Sequence, residues 1–218
     1  MSFDLIAPVY DWLASLVFGD SLTGAQAYAV SQVATGSRVL VLGGGTGRFL
    51  PRLLARHPAR IIFVEASAAM LRRAQKQWPV PPHNLHFQYG AEADVAATDG
   101  FDVIFLPFVL DLYTEAVLSA QVLPTLKRLL ANEGTLLVCD FDRPKTRWQQ
   151  LQLWTMIRFF RLVAGIDIHH LPDWPRLLQQ AGFREMTQTM FRHGQVRTGE
   201  WRRSVIPAQV PDATRAAS

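Results

Sequence analysis

The chain has 218 residues, of which 49% are hydrophobic and 18% are charged, and its formal net charge is +4. These values predict a globular protein with a sizeable core and exclude a disordered chain. The charge is spread along the chain without a nucleic-acid-binding motif, so we expect no nucleic-acid partner.

The single cysteine, Cys139, excludes an internal disulfide, and no Cys/His cluster has metal-ligand spacing, so we expect no metal. Because no signal peptide or membrane-length apolar run is present, we expect a cytoplasmic protein.

Strand-like and helix-like segments alternate along the chain, which is typical of parallel strands joined by crossover helices. Helices are predicted at 21–34, 47–56, 67–77, 116–131 and 173–181. Strands are predicted at 38–42, 60–65, 85–89, 101–106 and 134–141. The helix over 116–131 is expected to stop at Asn132-Glu133-Gly134, because glycine commonly ends helices. The pattern predicts an α/β fold with a doubly wound, mostly parallel sheet.

A glycine-rich turn joins the first predicted strand to the second predicted helix. Its glycines are Gly43, Gly44, Gly45 and Gly47. They allow the backbone to approach a ligand closely, and the N-terminus of the helix offers unpaired N–H groups to that ligand. A nucleotide-like ligand is therefore predicted. Arg48 stands where the dinucleotide motif requires its third glycine and no Lys-Ser/Thr pair follows, so neither the dinucleotide motif nor the phosphate-loop motif fits.

A second signal lies at the end of the second predicted strand. The apolar run 61–64 ends on Glu65, which comes 22 positions after Gly43. A carboxylate at the carboxyl end of this strand is placed to accept hydrogen bonds from ribose hydroxyls. Ser67 follows at a position suited to cap the next helix. A surface role for Glu65 stays open, but the glycine turn and Glu65 together indicate a nucleoside more specifically than either feature alone.

The spacing Gly43-x-Gly45-x-Gly47, with Glu65 after it, resembles that of the class I S-adenosylmethionine (SAM) dependent methyltransferases. The likeness extends to 101–110, to 134–141 and to the segment 177–183, Leu-Leu-Gln-Gln-Ala-Gly-Phe. It implies a Rossmann-like α/β/α sandwich with seven strands. The antiparallel last hairpin of that sheet would be formed by 184–192 and 195–204.

Two further segments resemble one group of these enzymes. The opening Phe3-Asp4-x-x-Ala7-Pro8-x-Tyr10-Asp11 and the segment Asp140-Phe141-Asp142-Arg143-Pro144 are similar to segments of the ubiquinone and menaquinone biosynthesis methyltransferases. Phospholipid methyltransferases share much of the same frame. The resemblance implies methyl transfer from SAM to a small, hydrophobic or lipid-like acceptor.

The resemblance also implies which residues contact SAM: Tyr10, Gly43, Gly44, Gly45, Gly47, Glu65, Ala66, Met70, Glu92, Leu106, Pro107 and Phe108. Two positions depart from the family pattern. Val41 replaces the acidic residue usual two positions before the first glycine, and Ala91 replaces the aspartate expected at the adenine. Glu92 is expected either to substitute for that aspartate or to be a solvated turn carboxylate.

A general base would be needed only if the acceptor must lose a proton. The candidate catalytic residues are Asp111, Asp140 and His170, with His169 beside the last. Each has a structural alternative. Asp111 could cap a helix, Asp140 could bind backbone amides, and the histidines could lie at the surface.

A single SAM-binding domain is predicted over 1–206, with N-terminal lid helices at 1–34 and a mobile tail at 207–218. The segment 145–172 is predicted as an acceptor-side insert, because its apolar residues nearly encircle a helix and its arginines are interleaved. A lipid-like acceptor, an anionic membrane surface, a partner subunit in a homodimer, or internal packing of a monomer could cover it. Two other functions stay open, a non-catalytic binding protein on this fold and an NAD-dependent oxidoreductase.

Overall fold

A computed structural model describes residues 21–96, 100–144, 146–147, 150 and 170–204. One sheet of seven strands organises these residues, in the order β3-β2-β1-β4-β5-β7-β6. The strands are β1 Arg38–Leu42, β2 Arg60–Glu65, β3 Leu85–Tyr89, β4 Phe101–Pro107, β5 Leu130–Phe141, β6 Phe183–Phe191 and β7 Val196–Arg203. Strands β1 to β5 are parallel, and β7 runs antiparallel between β5 and β6. The predicted fold class and the antiparallel last hairpin are confirmed.

The helices lie between the strands as the alternation predicted. They are α1 Ser21–Ser31, α2 Leu50–Leu54, α3 Ala68–Lys76, α4 Glu115–Val117, α5 Leu123–Leu129 and α6 Trp174–Gln180. A π-helical turn, Leu118–Val122, joins α4 to α5, and short 3₁₀ turns form at Glu92–Asp94, Leu110–Leu112 and Arg192–Gly194. Within the described residues, no helix combines the length and the hydropathy that a membrane span requires.

Helix α1 ends at Ser31 rather than 34, and two other predicted boundaries are wrong for a clear structural reason. Helix α2 begins at Leu50 rather than 47, because Gly45 and Gly47 have φ of 59° and 72°, which a right-handed helix excludes. Strand β5 begins at Leu130 rather than 134, because the chain turns directly from α5 into an extended residue that pairs with Phe101. The predicted stop at Asn132-Glu133-Gly134 therefore lies inside β5.

The two faces of the sheet are covered by different apolar clusters, as expected for parallel strands with helices on both sides. One cluster packs the sheet against α5 and α6, and the other packs it against α1 and α2. Cys139 lies in the second cluster, where its thiol donates to the Ala25 carbonyl at 3.3 Å and contacts Thr198. Burial raises the pKa of this thiol to about 12, so Cys139 is an unreactive core residue.

Several predictions fall outside the described residues. These are the lid segment over 1–20 with Tyr10, His169 with most of the insert 145–172, and the tail 207–218. They stay predictions.

Candidate functional site

A cavity of about 210 Å³ opens at the carboxyl ends of β1, β2 and β4. This is the point where the strand order reverses between β1 and β4, and open α/β sheets bind ligands at such points. The cavity is lined by every predicted SAM-contacting residue that the structure describes: Gly43, Gly44, Gly45, Gly47, Glu65, Ala66, Met70, Glu92, Leu106, Pro107 and Phe108. Residues far apart in the chain are thus brought to one site.

The glycines of the turn have different roles. A Cβ at Gly44 would lie 2.1 Å from the Phe63 ring, and a Cβ at Gly43 would lie 2.3 Å from Cγ2 of Val109. At these two positions the neighbouring side chains leave no room for a Cβ atom. At Gly45, where φ is 59°, a Cβ would have no heavy atom within 4 Å. Gly45 lines the cavity, so its missing side chain leaves room that a ligand can use.

Glu65 is held against the glycine turn by backbone hydrogen bonds. Gly45 N–H donates to its Oε2 at 2.8 Å, and Ser67 N–H donates to its Oε1 at 2.8 Å. The side chain of Ser67 in turn accepts from Met70 N–H and caps α3, as predicted. These two bonds fix both oxygens of the carboxylate at the edge of the cavity. A carboxylate is an acceptor-only group, the kind of partner that the hydroxyl donors of a ribose require.

Val41 lies in the apolar core next to the glycine turn. It is fully buried in a cluster that includes Phe49, Phe63 and Phe105. The Phe49 ring centroid lies 5.1 Å from that of Phe105 and 6.3 Å from that of Phe63. A carboxylate at position 41 would be buried among these rings at a cost of several kcal/mol, on the order expected for an unpaired charge. Residue 41 therefore belongs to the core.

The loop after β3 presents Glu92 to the cavity. Ala91 N–H donates to Asp94 Oδ2 at 2.8 Å, so Asp94 stabilises the turn itself. Glu92 lines the cavity and accepts a hydrogen bond from Tyr113 Oη at 3.1 Å. Glu92 is therefore a half-buried, hydrogen-bonded carboxylate, and its substitution for the missing aspartate stays a prediction.

Several polar side chains at or beside the cavity were not predicted from the sequence, Tyr113 and Gln77 among them. Tyr113 lines the cavity, and Gln77 contacts the glycine turn by donating from Nε2 to the Thr46 carbonyl at 2.6 Å. Both contacts join residues that are distant in the chain, and neither residue belongs to a local motif. Arg48, by contrast, was noted in the sequence and lies exposed at the cavity mouth.

The loop after β4 brings an aromatic residue to the cavity in a strained conformation. Phe108 has φ of 60°, an uncommon value for a residue with a side chain. Its N–H donates to the Cys139 carbonyl at 2.7 Å, and its ring centroid lies 5.4 Å from that of Phe141. Strain of this kind persists where surrounding contacts determine the conformation.

Asp140 fixes the residues that follow Phe108 in this loop. Its Oδ2 accepts from the N–H groups of Val109 at 3.1 Å and Leu110 at 2.8 Å, with a longer contact of 3.4 Å to Asp111 N–H. Its Oδ1 accepts from Phe141 N–H at 2.7 Å. Asp140 is fully buried and does not line the cavity. This arrangement matches the alternative in which Asp140 binds backbone amides rather than abstracting a proton.

Asp111 and Asp140 form a buried pair of carboxyl groups. Burial raises the pKa of Asp111 to about 7, and burial followed by repulsion from Asp111 raises the pKa of Asp140 well above its usual range. The pair therefore holds a proton near neutral pH. Neither Asp111 nor the exposed His170 lines the cavity, so no candidate base among the described residues reaches the site directly.

A model of the methyltransferase-domain family matches residues 26–188. The chain belongs to this family. The ubiquinone/menaquinone biosynthesis C-methyltransferase UbiE of Geotalea uraniireducens strain Rf4 is 26% identical over 184 residues, which cover 78% of this chain and 77% of that protein. The predicted methyltransferase activity and SAM as cofactor are confirmed, and the nicotinamide alternative loses its support.

Solved structures share the fold of this methyltransferase at low identity. The mitomycin 7-O-methyltransferase MmcR superposes with a TM-score of 0.68 at 21% identity, over 94% of this chain and 61% of that one. The DhpI complex with S-adenosylhomocysteine (SAH) superposes with a TM-score of 0.68 at 15% identity, over 93% of this chain and 94% of that one. The likeness confirms the Rossmann-like methyltransferase fold.

Proposed function

We propose that the cavity binds SAM, with the ribose on Glu65 and the backbone of Gly43, Gly45 and Gly47 in contact with the cofactor. The observation that carries this proposal is Glu65, a buried carboxylate that lines the cavity and whose two oxygens are fixed by the N–H groups of Gly45 and Ser67. The open space at Gly45 supports the same orientation. The segment Leu106-Pro107-Phe108 would lie beside the adenine and the methionine, with Ala66 and Met70 near the ribose.

When bound, SAM supplies a methyl group that its sulfonium already activates for in-line displacement. The protein's part is to orient the acceptor and to exclude water, which can account for several kcal/mol of the barrier. Phe108, held rigidly by the backbone bond to Cys139, is suited to such an orienting role. Asp140 acts through this loop and is therefore proposed as a positioning residue.

We propose a small, apolar or lipid-like molecule as the methyl acceptor. The cavity wall supports this, because Leu22, Phe108 and Val109 line it and favour an apolar ligand. The name of the Geotalea relative assigns C-methylation in quinone biosynthesis to that protein, so quinone precursors are the first candidates to test.

Transfer of radiolabelled methyl from SAM tests the acceptor class. The panel contains prenylated phenols and quinols, short-chain phosphatidylethanolamine, and polar acceptors such as glycine and guanidinoacetate. We expect label in the organic extract with one of the apolar acceptors. Label only in a polar acceptor, with the protein folded and SAM bound, would refute the acceptor class and leave the cofactor assignment intact.

We further propose contact of the insert 145–172 with an anionic membrane surface, supported by its interleaved aromatic residues and arginines. Co-sedimentation with phosphatidylglycerol vesicles should exceed that with phosphatidylcholine vesicles and fall with added salt. Equal recovery with both would contradict membrane contact. Sedimentation of the lipid-free protein would separate this role from burial of the insert in a homodimer.

A further inference from the structure

The part of the chain that forms α1 to α3 and β1 to β3 is strongly cationic. Between Ser21 and Gly90 it has a single acidic residue, Glu65, against eight arginines and lysines. Glu65 is buried and bonded to backbone N–H groups, so it adds no exposed negative charge. The cations are therefore concentrated on one region of the surface, although they are spread along the chain.

Most of these cations are exposed and have no carboxylate partner. Arg38 pairs with Asp102 at 2.8 Å, but the other seven form no ion pair with any residue that the structure describes. On the opposite layer of the sheet, by contrast, Arg176 pairs with Glu115 at 2.8 Å. The exposed, unpaired cations make up a surface that we call the cationic face: Arg48, Arg52, Arg56, Arg60, Arg72 and Lys76.

Helices α2 and α3 present the cationic face from one side of the sheet. Both helices pack on the same apolar cluster, and a Cβ at Gly47, just before α2, would lie 3.4 Å from Cβ of Ala74 on α3. Arg72 and Lys76 are four residues apart on α3, a spacing that places them on one side of the helix. Like charges at this spacing repel each other, and Arg52 on α2 adds to the same field. An anionic partner would relieve this repulsion.

An exposed apolar residue follows α3 on the same layer. Val80, four residues after Lys76, is 87% exposed, more than any other large hydrophobic residue in the described part of the chain. Trp78, two residues before it, packs against the apolar cluster that supports α2 and α3. An anionic bilayer offers phosphate groups to the cations and an apolar boundary to Val80. The phosphates of a nucleic acid would match the cations alone.

We propose that the cationic face, together with Val80, is a docking surface for an anionic lipid bilayer. It is separate from the membrane contact proposed for the insert 145–172, because it consists of other residues. Arg48 belongs to the face and also lines the cavity, so docking brings the mouth of the cavity to the membrane. This placement suits a lipid-like acceptor, and that consequence alone rests on the proposed function.

Co-sedimentation with phosphatidylglycerol vesicles tests the face through the double variant Arg52→Glu with Arg72→Glu, whose residues do not line the cavity. One cation near an anionic membrane contributes about fivefold in affinity, so this variant should bind at least about 20-fold more weakly than the wild type. The matched control is Arg128→Glu with Arg184→Glu, at exposed residues of α5 and β6. It changes the net charge equally and should weaken binding by less than about threefold, because salt screens distant charges.

Val80→Ser tests the apolar part of the surface. Its vesicle binding should fall by about threefold to tenfold, and the factor should be the same at low and raised salt, because burial of an apolar side chain is not screened. Met186→Ser, at a residue of β6 that is 42% exposed, is the control and should bind as the wild type does. Equal binding by the two serine variants would overturn the bilayer as the partner.

Equal losses in the two charge-reversal variants would also overturn the inference, because net charge alone would then explain both. Loss of vesicle binding only in Arg158→Glu with Arg161→Glu would assign membrane contact to the insert instead. Loss of binding to a single-stranded RNA in Arg52→Glu with Arg72→Glu, with vesicle binding retained, would assign the face to nucleic acid.

Calorimetric titration with SAH separates this inference from the proposed function. A folded Arg52→Glu with Arg72→Glu should bind SAH as tightly as the wild type does, which shows that the loss on vesicles is a loss of docking. Absence of SAH binding to the wild type would refute the proposed cofactor and leave the docking surface in place.

Discussion

The glycine turn and the loop after β4 both bring backbone to the cavity, but they are held by different means. The turn uses residues without side chains, and Gly43 packs on the β4 loop through Val109. The β4 loop consists of residues with side chains, and Phe108 among them has φ of 60°. The buried carboxylate of Asp140, on the neighbouring strand β5, accepts hydrogen bonds from the backbone N–H groups of this loop. A local sequence pattern marks the first kind of support. The second kind depends on a contact between residues about 30 positions apart.

Asp140→Ala should have the largest effect, because it removes the acceptor of several buried N–H groups in the β4 loop. We expect a loss of at least about 3 kcal/mol in the free energy of unfolding, since each buried N–H group left without an acceptor costs roughly 1–3 kcal/mol. Urea denaturation measures it. Asp140→Asn, which keeps one carbonyl oxygen, should lose less, and Glu133→Ala at an exposed site should lose almost nothing. A loss in Asp140→Ala no larger than in Glu133→Ala would show that Asp140 does not anchor the loop.

Gly44→Ala tests the packing of the turn itself. The new methyl group would meet the Phe63 ring, and overpacking of this kind costs about 1–3 kcal/mol. The double variant Gly44→Ala with Phe63→Leu should recover part of that loss, because the smaller side chain makes room. Thermal and urea denaturation of the single and double variants gives the coupling. Strict additivity of the two substitutions would indicate that Phe63 is not the obstacle.

The carboxyl pair predicts a pH dependence of stability. The folded Asp111 has a pKa of about 7, whereas an unfolded aspartate titrates near 4, so the folded state binds more protons between these values. The free energy of unfolding should therefore fall as the pH rises from about 4 to about 7 and then level off. Asp111→Asn should flatten this slope. The comparison is urea denaturation at pH 5 and pH 7.5, and equal slopes in the two proteins would contradict a shared proton.

Gly45→Ala should have the smallest effect on stability and a large effect on binding. No protein atom lies near the added methyl group, so the cost is that of a positive φ, about 1 kcal/mol. The methyl group would enter the cavity and weaken SAH binding by about tenfold or more, whereas Gly36→Ala, also open and at positive φ, should leave binding unchanged. Parallel losses of SAH affinity in both variants would refute the assignment of Gly45 to the cofactor.

The sequence predicted the parts of the site that depend on local patterns. The glycine spacing, the apolar run before Glu65 and the Ser67 cap all act within one strand-turn-helix unit, and the structure shows these elements. The sequence could not show that Val41 belongs to a buried cluster with aromatic rings, since Phe63 and Phe105 come from other strands. The contact of Tyr113 with Glu92 was missed for the same reason.

The wrong starts of α2 and β5 have different origins. The predicted helix from 47 ignored that the turn glycines occupy left-handed conformations, which delay the helix to Leu50. The early start of β5 depends on pairing of Leu130 with Phe101, a tertiary contact that outweighs the glycine stop signal. Helix and strand types were thus predictable, whereas the start of α2 depended on the backbone conformation of the turn and the start of β5 on a neighbour in space.

Calorimetric titration of the wild-type protein and of Glu65→Ala with SAH and NAD tests whether this cavity holds SAM. We expect that SAH binds at one site, that NAD does not bind, and that a folded Glu65→Ala loses about 10- to 100-fold in SAH affinity. Equal SAH affinity in the two proteins, or binding of NAD alone, would contradict the assignment of this cavity to SAM.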